Sequence, residues 1–415
     1  MRRFARAWAI AVAGLVAVAA AAVAQPAGAR AAPTGTTALI VVDVPLHYSP
    51  VAQTIVNGAK LAAGQINADG GVSVDHRAVQ LRVRAVDSQL SPITTRDNVD
   101  AAIADGAVAV VDEGTGVDAA WQAASDAGLP IGIVYQGAAS LVDAKARPNV
   151  FRIAPTDHGV AFRLAEYVVP MHARVALITD DSVYGTGGQS ALHDAFATIP
   201  NAVVADLQVP AGTDPAPEVI EARDSGASAI VVWAEAPTVA AVVRAVRQSG
   251  WTVPIYSAPS AEDPLVRQQL ADHPDWLDGL TFALSRLTSE RGPGPFEQFD
   301  AAYTQRFGAD LVGVKSQGRN VIQAPDYAMY SYDFVKVVAA AMQRSGSSRE
   351  SASLLKAMDR VEITGANGDE RSFNELSHEG VVDDDIFFAV FHDMVWTPVK
   401  NDALSATLPP IKQTN

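Results

Sequence analysis

Short apolar segments rich in β-branched residues alternate along this chain with amphipathic segments of helical length. The first apolar segment, Ala38–Val44, is interrupted only by Asp43, and helical patterning follows from about Val51 to Asn67. The alternation continues with a strand near Val79–Val86, a helix near Ile93–Ala104, a strand at Ala107–Val111 and a helix near Val117–Ala127. Parallel strands need helical crossovers and are covered on both faces, so this pattern predicts βαβ units.

A weak internal repeat indicates that two lobes share one plan. Gly106–Val111 is matched by Gly226–Val231, and each is followed by a helical pattern, a glycine and a further strand. The chain of 415 residues is also longer than one ordinary domain. Because glycine and proline commonly separate elements in α/β proteins, chance recurrence is the alternative. The predicted fold class is α/β, with two similar doubly wound lobes around parallel sheets.

The first 32 residues differ in composition from the rest of the chain. Three arginines precede an uncharged, alanine-rich run, Ala7–Ala24, and small residues offer cleavage after Ala24 or Ala31. This is the pattern of a secretory signal peptide at residues 1–32, with a membrane anchor as the alternative. We therefore expect a periplasmic or secreted protein that has no direct membrane insertion after cleavage.

Charge and composition exclude several classes of partner and chemistry. The formal net charge of −15 repels phosphate backbones, so we expect no nucleic-acid partner. The absence of cysteine excludes disulfides, thiolate nucleophiles and a lipidated cysteine anchor. The sequence also lacks the G-x-G-x-x-G, P-loop, H-E-x-x-H and G-x-S-x-G patterns. We expect no cofactor, no metal site and no catalytic residues, so the protein is predicted not to be an enzyme.

Loops that follow the predicted strands carry the candidate ligand-binding residues, because ligands of open parallel sheets bind beyond the carboxyl ends of strands. Gly114, Thr115 and Gly116 lie between a strand and a helix, where backbone N–H groups suit a carboxylate. A tight turn with Thr115 as the helix cap is the alternative.

Two further strand ends carry candidate side chains. Tyr184 follows Asp180 and Asp181 and is predicted to stand at the cleft rim, where its ring and hydroxyl contact the ligand. The two acids are better suited to capping than to metal chelation, because neighbours in sequence diverge. Glu235 ends an apolar strand and is suited to an ammonium group in a closing cleft, with a solvated loop acid as the alternative.

Four stretches of sequence, taken in order, carry a resemblance to a known family. They are Asn57–Ala59 with Ile66–Gly71, Gln136–Ser140 with Val150–Arg152 and Asp157, Asp181–Gly185, and Gly365–Phe373. They are similar to the N-G-A…I-N-x-x-G-G, G-A-T-S, D-x-x-Y-G and G-x-x-G-x-x-x-F motifs of type I periplasmic solute-binding proteins. The chain thus resembles the branched-chain amino acid (Leu/Ile/Val)-binding family of ABC transporters, from about Ala38 to Val399.

This resemblance implies two α/β lobes joined by a three-crossover hinge, with the ligand clamped between them. We expect the first lobe at residues 36–155 plus 282–365 and the second at residues 156–281 plus 366–400. Residues 401–415 are expected to form a tail.

The resemblance also implies a set of ligand-binding positions. They are Tyr48, Gly114, Thr115, Gly116, Gly137, Ala138, Tyr184 and Glu235. Ala139 replaces the usual threonine of the G-A-T-S loop, so a hydroxyl is lost unless Ser140 supplies it. The acid that binds the amino group in relatives falls near Pro259, which leaves Glu262 and Asp263 as displaced candidates.

The predicted function is that of an extracytoplasmic substrate-binding protein of an ABC importer. It is expected to bind an amino acid or a similar small carboxylate or amide, to close on it, and to deliver it to the importer permease. A ligand-sensing receptor component with the same clamp, and an exported enzyme, are the alternatives.

Overall fold

The predicted alternation of strands and helices is observed in the computed structural model, which describes residues 37–285, 294–307, 313–316, 319–322, 326–392 and 394–399. These residues belong to one unit of the chain, Gly35–Asn415. The predicted signal peptide and the tail lie outside the described residues. Across the described ranges, no helix has both the length and the apolar character needed to cross a bilayer.

Seventeen β-strands form within the described ranges. They are β1 (Thr37–Val44), β2 (Val72–Val74), β3 (Arg77–Asp87), β4 (Ala107–Asp112), β5 (Ile131–Ile133), β6 (Val150–Arg152), β7 (Val175–Asp180), β8 (Val203–Val209), β9 (Ala229–Trp233), β10 (Ile255–Ser257), β11 (Thr281–Ser285), β12 (Gly313–Ser316), β13 (Arg319–Ile322), β14 (Glu362–Thr364), β15 (Glu370–Ser372), β16 (Ile386–His392) and β17 (Val395–Pro398).

Eleven α-helices accompany these strands in the same ranges. They are α1 (Pro50–Ala68), α2 (Pro92–Ala104), α3 (Val117–Ala127), α4 (Asp157–Val168), α5 (Val183–Phe196), α6 (Ala216–Asp224), α7 (Ala236–Gln248), α8 (Pro264–Gln269), α9 (Pro295–Phe307), α10 (Asp326–Ser345) and α11 (Ala352–Met358). Short 3₁₀ helices occur at Ala139–Leu141, Pro259–Glu262, Pro274–Leu277 and Asp383–Asp385.

The first six elements predicted with explicit bounds are confirmed to within two residues at each end. Local chemistry accounts for the helix starts. Ser49 caps α1 and Ser91 caps α2, each through a side-chain oxygen that accepts from a backbone N–H, and a proline follows in the first helical position. Proline there has no N–H to leave unpaired, and its φ suits a helix.

The sheet of the first lobe contains β1 to β6 in the order β2-β3-β1-β4-β5-β6. Only β2 and β3 are antiparallel neighbours; the other pairs are parallel. Helices α1 and α10 pack on one face, and α2 and α3 pack on the other. Every residue of β4 is buried, as a central strand covered on both faces requires.

The sheet of the second lobe has the order β17-β16-β11-β10-β9-β7-β8, with β16 and β17 as an antiparallel edge. Helices α4 and α5 pack on one face, and α6, α7 and α8 pack on the other. Each lobe is therefore a sheet between two helical layers, and the predicted α/β class with two doubly wound lobes is confirmed.

The internal repeat corresponds to equivalent units of the two lobes, β4-α3-β5 and β9-α7-β10. Gly106 and Gly226 precede the first strand of each unit with φ of 66° and 76°. Gly128 and Gly250 end the helices with φ of 73° and 71°. Glycine enters this left-handed region at little cost, so the same residue recurs where the chain turns in each unit.

The chain passes between the lobes three times along the described ranges: between β6 and α4, between β11 and α9, and between β15 and β16. Two expected lobe boundaries differ from these crossings. The boundary between residues 281 and 282 cuts β11, which pairs with β10 and β16 in the second sheet. The boundary between residues 365 and 366 falls within the β14–β15 turn, although β15 still packs on α10 of the first lobe.

A buried ion pair holds this last segment on the first lobe. Arg371 Nε donates to Asp333 Oδ2 at 3.1 Å, and both side chains are almost fully excluded from solvent. Asp333 Oδ1 also accepts from the Ala366 N–H at 2.8 Å, and Arg371 Nη2 donates to Asn367 Oδ1 at 3.0 Å. The pair links α10 to the turn between β14 and β15, so this turn cannot leave the first lobe without exposing two buried charges.

We expect Asp333→Asn to lower the free energy of unfolding by about 3–5 kcal/mol, because it leaves the Arg371 charge buried without its counter-charge. Urea unfolding followed by circular dichroism measures this loss. The matched control is Asp224→Asn, which alters an exposed acid beside Arg223 and is expected to change stability by less than about 0.5 kcal/mol. Equal stability of the two variants would contradict a structural role for the pair.

Candidate functional site

A cleft lies between the two lobes, at the carboxyl ends of their strands, and its empty space, counted together with the solvent at its mouth, is about 350 Å³. Residues of the loops after β1, β3, β4, β5 and β9 contribute to its wall, together with the start of α1 and the residue before α8. The described residues that line it are Pro45, Tyr48, Ser49, Val51, Ala52, Ile55, Leu90, Glu113, Tyr135, Glu235 and Asp263. Both lobes therefore supply side chains to this cavity, which is a common position for a small-molecule site.

Side-chain hydrogen bonds join the lobes across this cavity. Ser49 at the start of α1 donates from its hydroxyl to Asp263 Oδ2 of the second lobe. The Tyr135 hydroxyl donates to Glu235 Oε2 at 3.2 Å, again from the first lobe to the second. The conformation is therefore one in which the lobes contact each other, and both contacts end on carboxyl groups of the cavity wall.

An aromatic cluster lies behind this contact. The Tyr135 ring packs between Tyr184 and Tyr327, with centroid distances of 5.4 and 4.8 Å, and Tyr184 packs in turn on Trp233 at 5.8 Å. Rings at such distances stabilise one another beyond the area that they bury. The cluster joins residues of both lobes and fixes the direction in which the Tyr135 hydroxyl points.

Three hydrogen-bond donors of the strand-end glycine loop are occupied by the protein itself. The Gly114 N–H donates to Asp112 Oδ1 at 2.6 Å. Thr115 donates twice to Glu113: its N–H to Oε1 at 3.0 Å and its hydroxyl to Oε2 at 2.9 Å. Gly116 caps α3 without a side-chain bond, so the alternative in which Thr115 caps the helix is wrong.

Backbone geometry explains why Gly114 is a glycine. Its φ is 119°, and a Cβ there would lie 2.4 Å from the Cβ of Gln136. Gln136 also donates to the Thr115 hydroxyl at 3.4 Å. The loop therefore packs tightly against the segment that follows β5.

Of the eight predicted ligand-binding residues, Tyr48 and Glu235 line the cavity. The other six are not among the described residues of its wall. Tyr184 is 4% exposed and packs against Tyr135 in this conformation, and its predicted contact with the ligand at the cleft rim stays a prediction. The ring is enclosed because α5 begins directly above the Trp233 side chain at the end of β9.

The second predicted loop contacts the segments that cross between the lobes. The Gly137 carbonyl accepts from the Asp157 N–H at 2.9 Å, and the Ala138 carbonyl accepts from Arg152 Nη1 at 2.9 Å. Arg152 also forms an ion pair with Glu379 on the segment that returns to the second lobe. Ala139 and Ser140 follow in an exposed 3₁₀ turn. These backbone groups therefore hold the crossing segments together.

The two acids before Tyr184 diverge, as expected for neighbours in sequence. Asp180 is fully buried and accepts from the Ser182 hydroxyl at 2.5 Å and from the Glu235 N–H at 2.8 Å. Asp181 is exposed and accepts from the Ala211 N–H at 2.7 Å. Asp180 thus positions the backbone of Glu235, which accounts for the place of that carboxyl at the cavity wall.

Four polar wall residues were missing from the predicted set or were only displaced candidates. Ser49 caps α1, Glu113 directly follows β4, and Tyr135 lies two residues after β5. Asp263, a displaced candidate, caps α8 with its side chain accepting from the Leu265 N–H. The sequence signal that could have identified them is their position, because each of these polar residues stands at a strand or helix end that faces the cleft. Glu113 could have been found as an acid directly after a fully apolar strand core.

Burial raises the pKa of every carboxyl group in the cavity wall. The pKa of Glu235 rises to about 8, chiefly through desolvation and then through the nearby charges of Asp180 and Glu113. Desolvation raises the pKa of Glu113 to about 7 and that of Asp263 to about 6, although hydrogen bonds from Thr115 and Ser49 oppose these shifts. Near neutral pH a fraction of these carboxyl groups is therefore protonated.

These shifts predict a pH-dependent stability of the ligand-free protein. The folded-state pKa of Glu235 lies above its unfolded value, so its contribution is complete below about pH 4.5 and is lost as pH rises through about 8. We expect the free energy of unfolding to fall over this range, and to fall less steeply in Glu235→Gln. Urea titrations at several pH values measure the slope; Glu375→Gln, at an exposed acid, is expected to keep the slope of the unchanged protein.

Solved structures with the same fold cover nearly the whole described chain. A branched-chain amino acid transporter substrate-binding protein, LivJ of Streptococcus pneumoniae in complex with isoleucine, superposes with a TM-score of 0.73 at 20% identity, covering 88% of this chain and 99% of that one. A periplasmic binding protein type 1 of Bordetella pertussis superposes with a TM-score of 0.73 at 19% identity, covering 86% and 96% of the two chains.

A third structure carries a different ligand on the same fold. A solute-binding protein of an ABC transporter from Rhodopseudomonas palustris, in complex with 3,4-dihydroxybenzoic acid, superposes with a TM-score of 0.70 at 19% identity. The match covers 86% of this chain and 93% of that one. At these identities the likeness establishes the fold.

A short segment of the chain is also similar to a curated protein of another kind. A putative pterin-4-alpha-carbinolamine dehydratase of Rhodospirillum rubrum is 34% identical over 100 residues, which is 24% of this chain and 93% of that protein. Because the match spans about a quarter of the chain, it does not account for a fold of two lobes or for the cavity between them.

The family comparison spans most of both lobes. A family model described as periplasmic binding protein matches residues 47–391, from the loop after β1 to the end of β16. This range includes the whole cavity wall except Pro45. The chain therefore belongs to the periplasmic binding protein family, and its fold is the type I fold of that family.

Proposed function

We propose that this protein is the extracytoplasmic solute-binding component of an ABC importer, which captures a small polar molecule and presents it to the permease. The observation that carries the proposal is the inter-lobe cavity whose wall is built by both lobes. A molecule held there touches both lobes at once, so it favours the closed arrangement over the open one. Family membership and the secretory pattern at residues 1–32 support a location outside the cytoplasm.

The mechanism is binding and closure, without bond making or breaking. In the open form, water hydrates the polar groups of the wall. On closure these groups exchange their hydrogen bonds to water for hydrogen bonds to the ligand and to one another. The bonds from Ser49 to Asp263 and from Tyr135 to Glu235 supply closing contacts that belong to the protein. A ligand adds its own contacts, and a micromolar dissociation constant requires about 8.2 kcal/mol in total.

An amino acid, or a related small carboxylate or amide, is the ligand class that the resemblance suggests. The complexes of similar proteins with isoleucine and with 3,4-dihydroxybenzoic acid support a solute of this size. The cavity wall offers both kinds of group that such a solute needs: apolar side chains at Val51, Ala52 and Ile55, and carboxyl groups. Membership of a binding-protein family supports a role without catalysis.

A thermal-shift screen of the mature protein against amino acids, amines, amides and small carboxylates tests this proposal. A ligand present at a hundred times its dissociation constant is expected to stabilise the protein by about 2.7 kcal/mol. The same compound is expected to shift the solution scattering profile toward a more compact envelope than that of an open population. A screen without a stabilising compound, or a hit with no effect on the scattering profile, would contradict a binding protein that closes.

The inter-lobe hydrogen bond supplies a second test with a matched control. Tyr135→Phe removes the hydroxyl that reaches Glu235 but keeps the ring, so we expect weaker binding of the screened ligand by roughly fivefold. Tyr332→Phe removes a hydroxyl that donates to Gln65 within the first lobe, and its affinity is expected to stay unchanged. Calorimetry measures both variants; equal affinities would show that the inter-lobe bond has no part in closure.

A further inference from the structure

The position suited to a ligand carboxylate is already occupied by Glu113. This side chain is 4% exposed, and its two oxygens accept from the N–H and the hydroxyl of Thr115. The neighbouring Gly114 N–H is taken by Asp112. A ligand carboxylate would find these three donors of the loop in use, and it would approach an acid of the same charge.

The rest of the polar wall is also acidic. Glu113 stands on the first lobe, and Glu235 and Asp263 stand on the second, so carboxyl groups lie on both sides of the cavity. No lysine or arginine occurs among the described residues of the wall. Arg267 of α8 acts on Asp263 but is fully buried outside the lining. The cavity therefore lacks a positive group for an anion and offers several acceptors for a cation.

One of these acceptors has no protein donor. Glu235 Oε2 accepts from the Tyr135 hydroxyl, whereas its Oε1 accepts no hydrogen bond from a described residue. The carboxyl lines the cavity, so this oxygen is left for a donor that enters it. The Tyr48 ring stands at the same wall, and aromatic faces attract cations.

Part of the cavity wall is apolar. It includes Val51, Ala52 and Ile55 of α1, together with Pro45 and Leu90. A hydrocarbon group of a ligand that contacts these side chains gains about 0.8 kcal/mol for each buried CH₂. The wall thus combines acidic groups with apolar side chains.

We propose that the cleft binds an organic cation, a primary amine with a short hydrocarbon chain and no carboxylate, and that Glu113 fills the place where a ligand carboxylate would otherwise bind. This inference rests on the proposed solute-binding function and names the chemical class of the solute. The ammonium group lies between Glu113 of one lobe and Glu235 and Asp263 of the other, so neutralising it draws the lobes together.

Binding of an amine is coupled to proton release. Burial holds the pKa of Glu235 at about 8 and that of Glu113 at about 7 in the empty cavity, and an ammonium group favours their charged forms. A primary amine stays protonated over this range, because its own pKa lies near 10. The other charged or titratable groups that act on these two acids are Asp43, Asp112, Asp180, Asp263, Tyr48, Tyr135 and Tyr184. Affinity for the amine is therefore expected to rise from about pH 6 to pH 8.

Three probes that share one branched hydrocarbon group test the inference by calorimetry on the mature protein. Leucine carries both an ammonium group and a carboxylate, 3-methylbutylamine carries only the amine, and 4-methylpentanoate carries only the carboxylate. We expect the amine to bind at least about tenfold more tightly than leucine, and the acid to show no binding. Amine binding measured in two buffers of different ionisation enthalpy is expected to show net proton release.

Other orders of affinity among the three probes lead to different conclusions. Tighter binding of leucine or of the acid than of the amine overturns the inference but leaves the solute-binding function in place. A failure of the amine to bind at millimolar concentration also overturns it, and the broader screen described above then decides separately whether the protein binds any solute.

Variants of two acids separate the parts of the inference. Glu235→Gln is expected to weaken amine binding by about tenfold or more and to reduce the proton release. Glu113→Ala frees the Thr115 donors, so we expect it to gain binding of 4-methylpentanoate. Glu113→Gln keeps an acceptor on Thr115 without the charge, so it is expected to lose amine affinity without gaining the acid.

The matched control is Glu375→Ala, which removes an acid that is 76% exposed beside Arg360. It is expected to leave all three affinities unchanged. Circular dichroism confirms that each variant is folded before titration. A Glu113→Ala protein that is folded and still does not bind the acid would contradict the role given to Glu113.

Discussion

Parallel strand pairing places the carboxyl ends of neighbouring strands at one edge of each sheet, and the rest of the site depends on this constraint. In the first lobe, β1, β4 and β5 deliver Tyr48, Glu113 and Tyr135 to this edge. In the second lobe, β9 delivers Glu235, and the 3₁₀ turn after β10 leads to Asp263. Because the two edges face each other, five polar side chains from distant parts of the sequence meet around one cavity.

The hydrogen bonds that join the two lobes are made by side chains of the cavity wall. Ser49 reaches Asp263 and Tyr135 reaches Glu235, so the groups that hold the lobes together are also the groups that face a ligand. Desolvation raises the pKa of these carboxyls, and an entering group that restores their charge competes with the protein's own donors. Ligand identity and lobe closure are therefore linked through a few side chains.

Structures at about 20% identity share the fold of this chain but carry different ligands, isoleucine in one and 3,4-dihydroxybenzoic acid in another. The fold requires buried apolar strands, glycines at left-handed turns and helices on both faces, which many sequences satisfy. The ligand depends on a handful of side chains at strand ends. In this chain, Glu113 accepts two hydrogen bonds from Thr115 and adds a carboxyl group to the cavity wall.

The amino-acid sequence by itself determined the element order, the two doubly wound lobes and the glycine turns, because hydrophobic periodicity and left-handed turns are local properties of the chain. It also placed Tyr48 and Glu235 at strand ends that line the cavity. Only the tertiary structure decided that Tyr184 lies behind Tyr135, that Glu113 occupies the glycine-loop donors, and that β11 and β15 extend their lobes past the expected boundaries. These outcomes depend on contacts between residues far apart in sequence, such as Tyr135 with Glu235 and Asp333 with Arg371, and no local pattern specifies which partners such side chains meet.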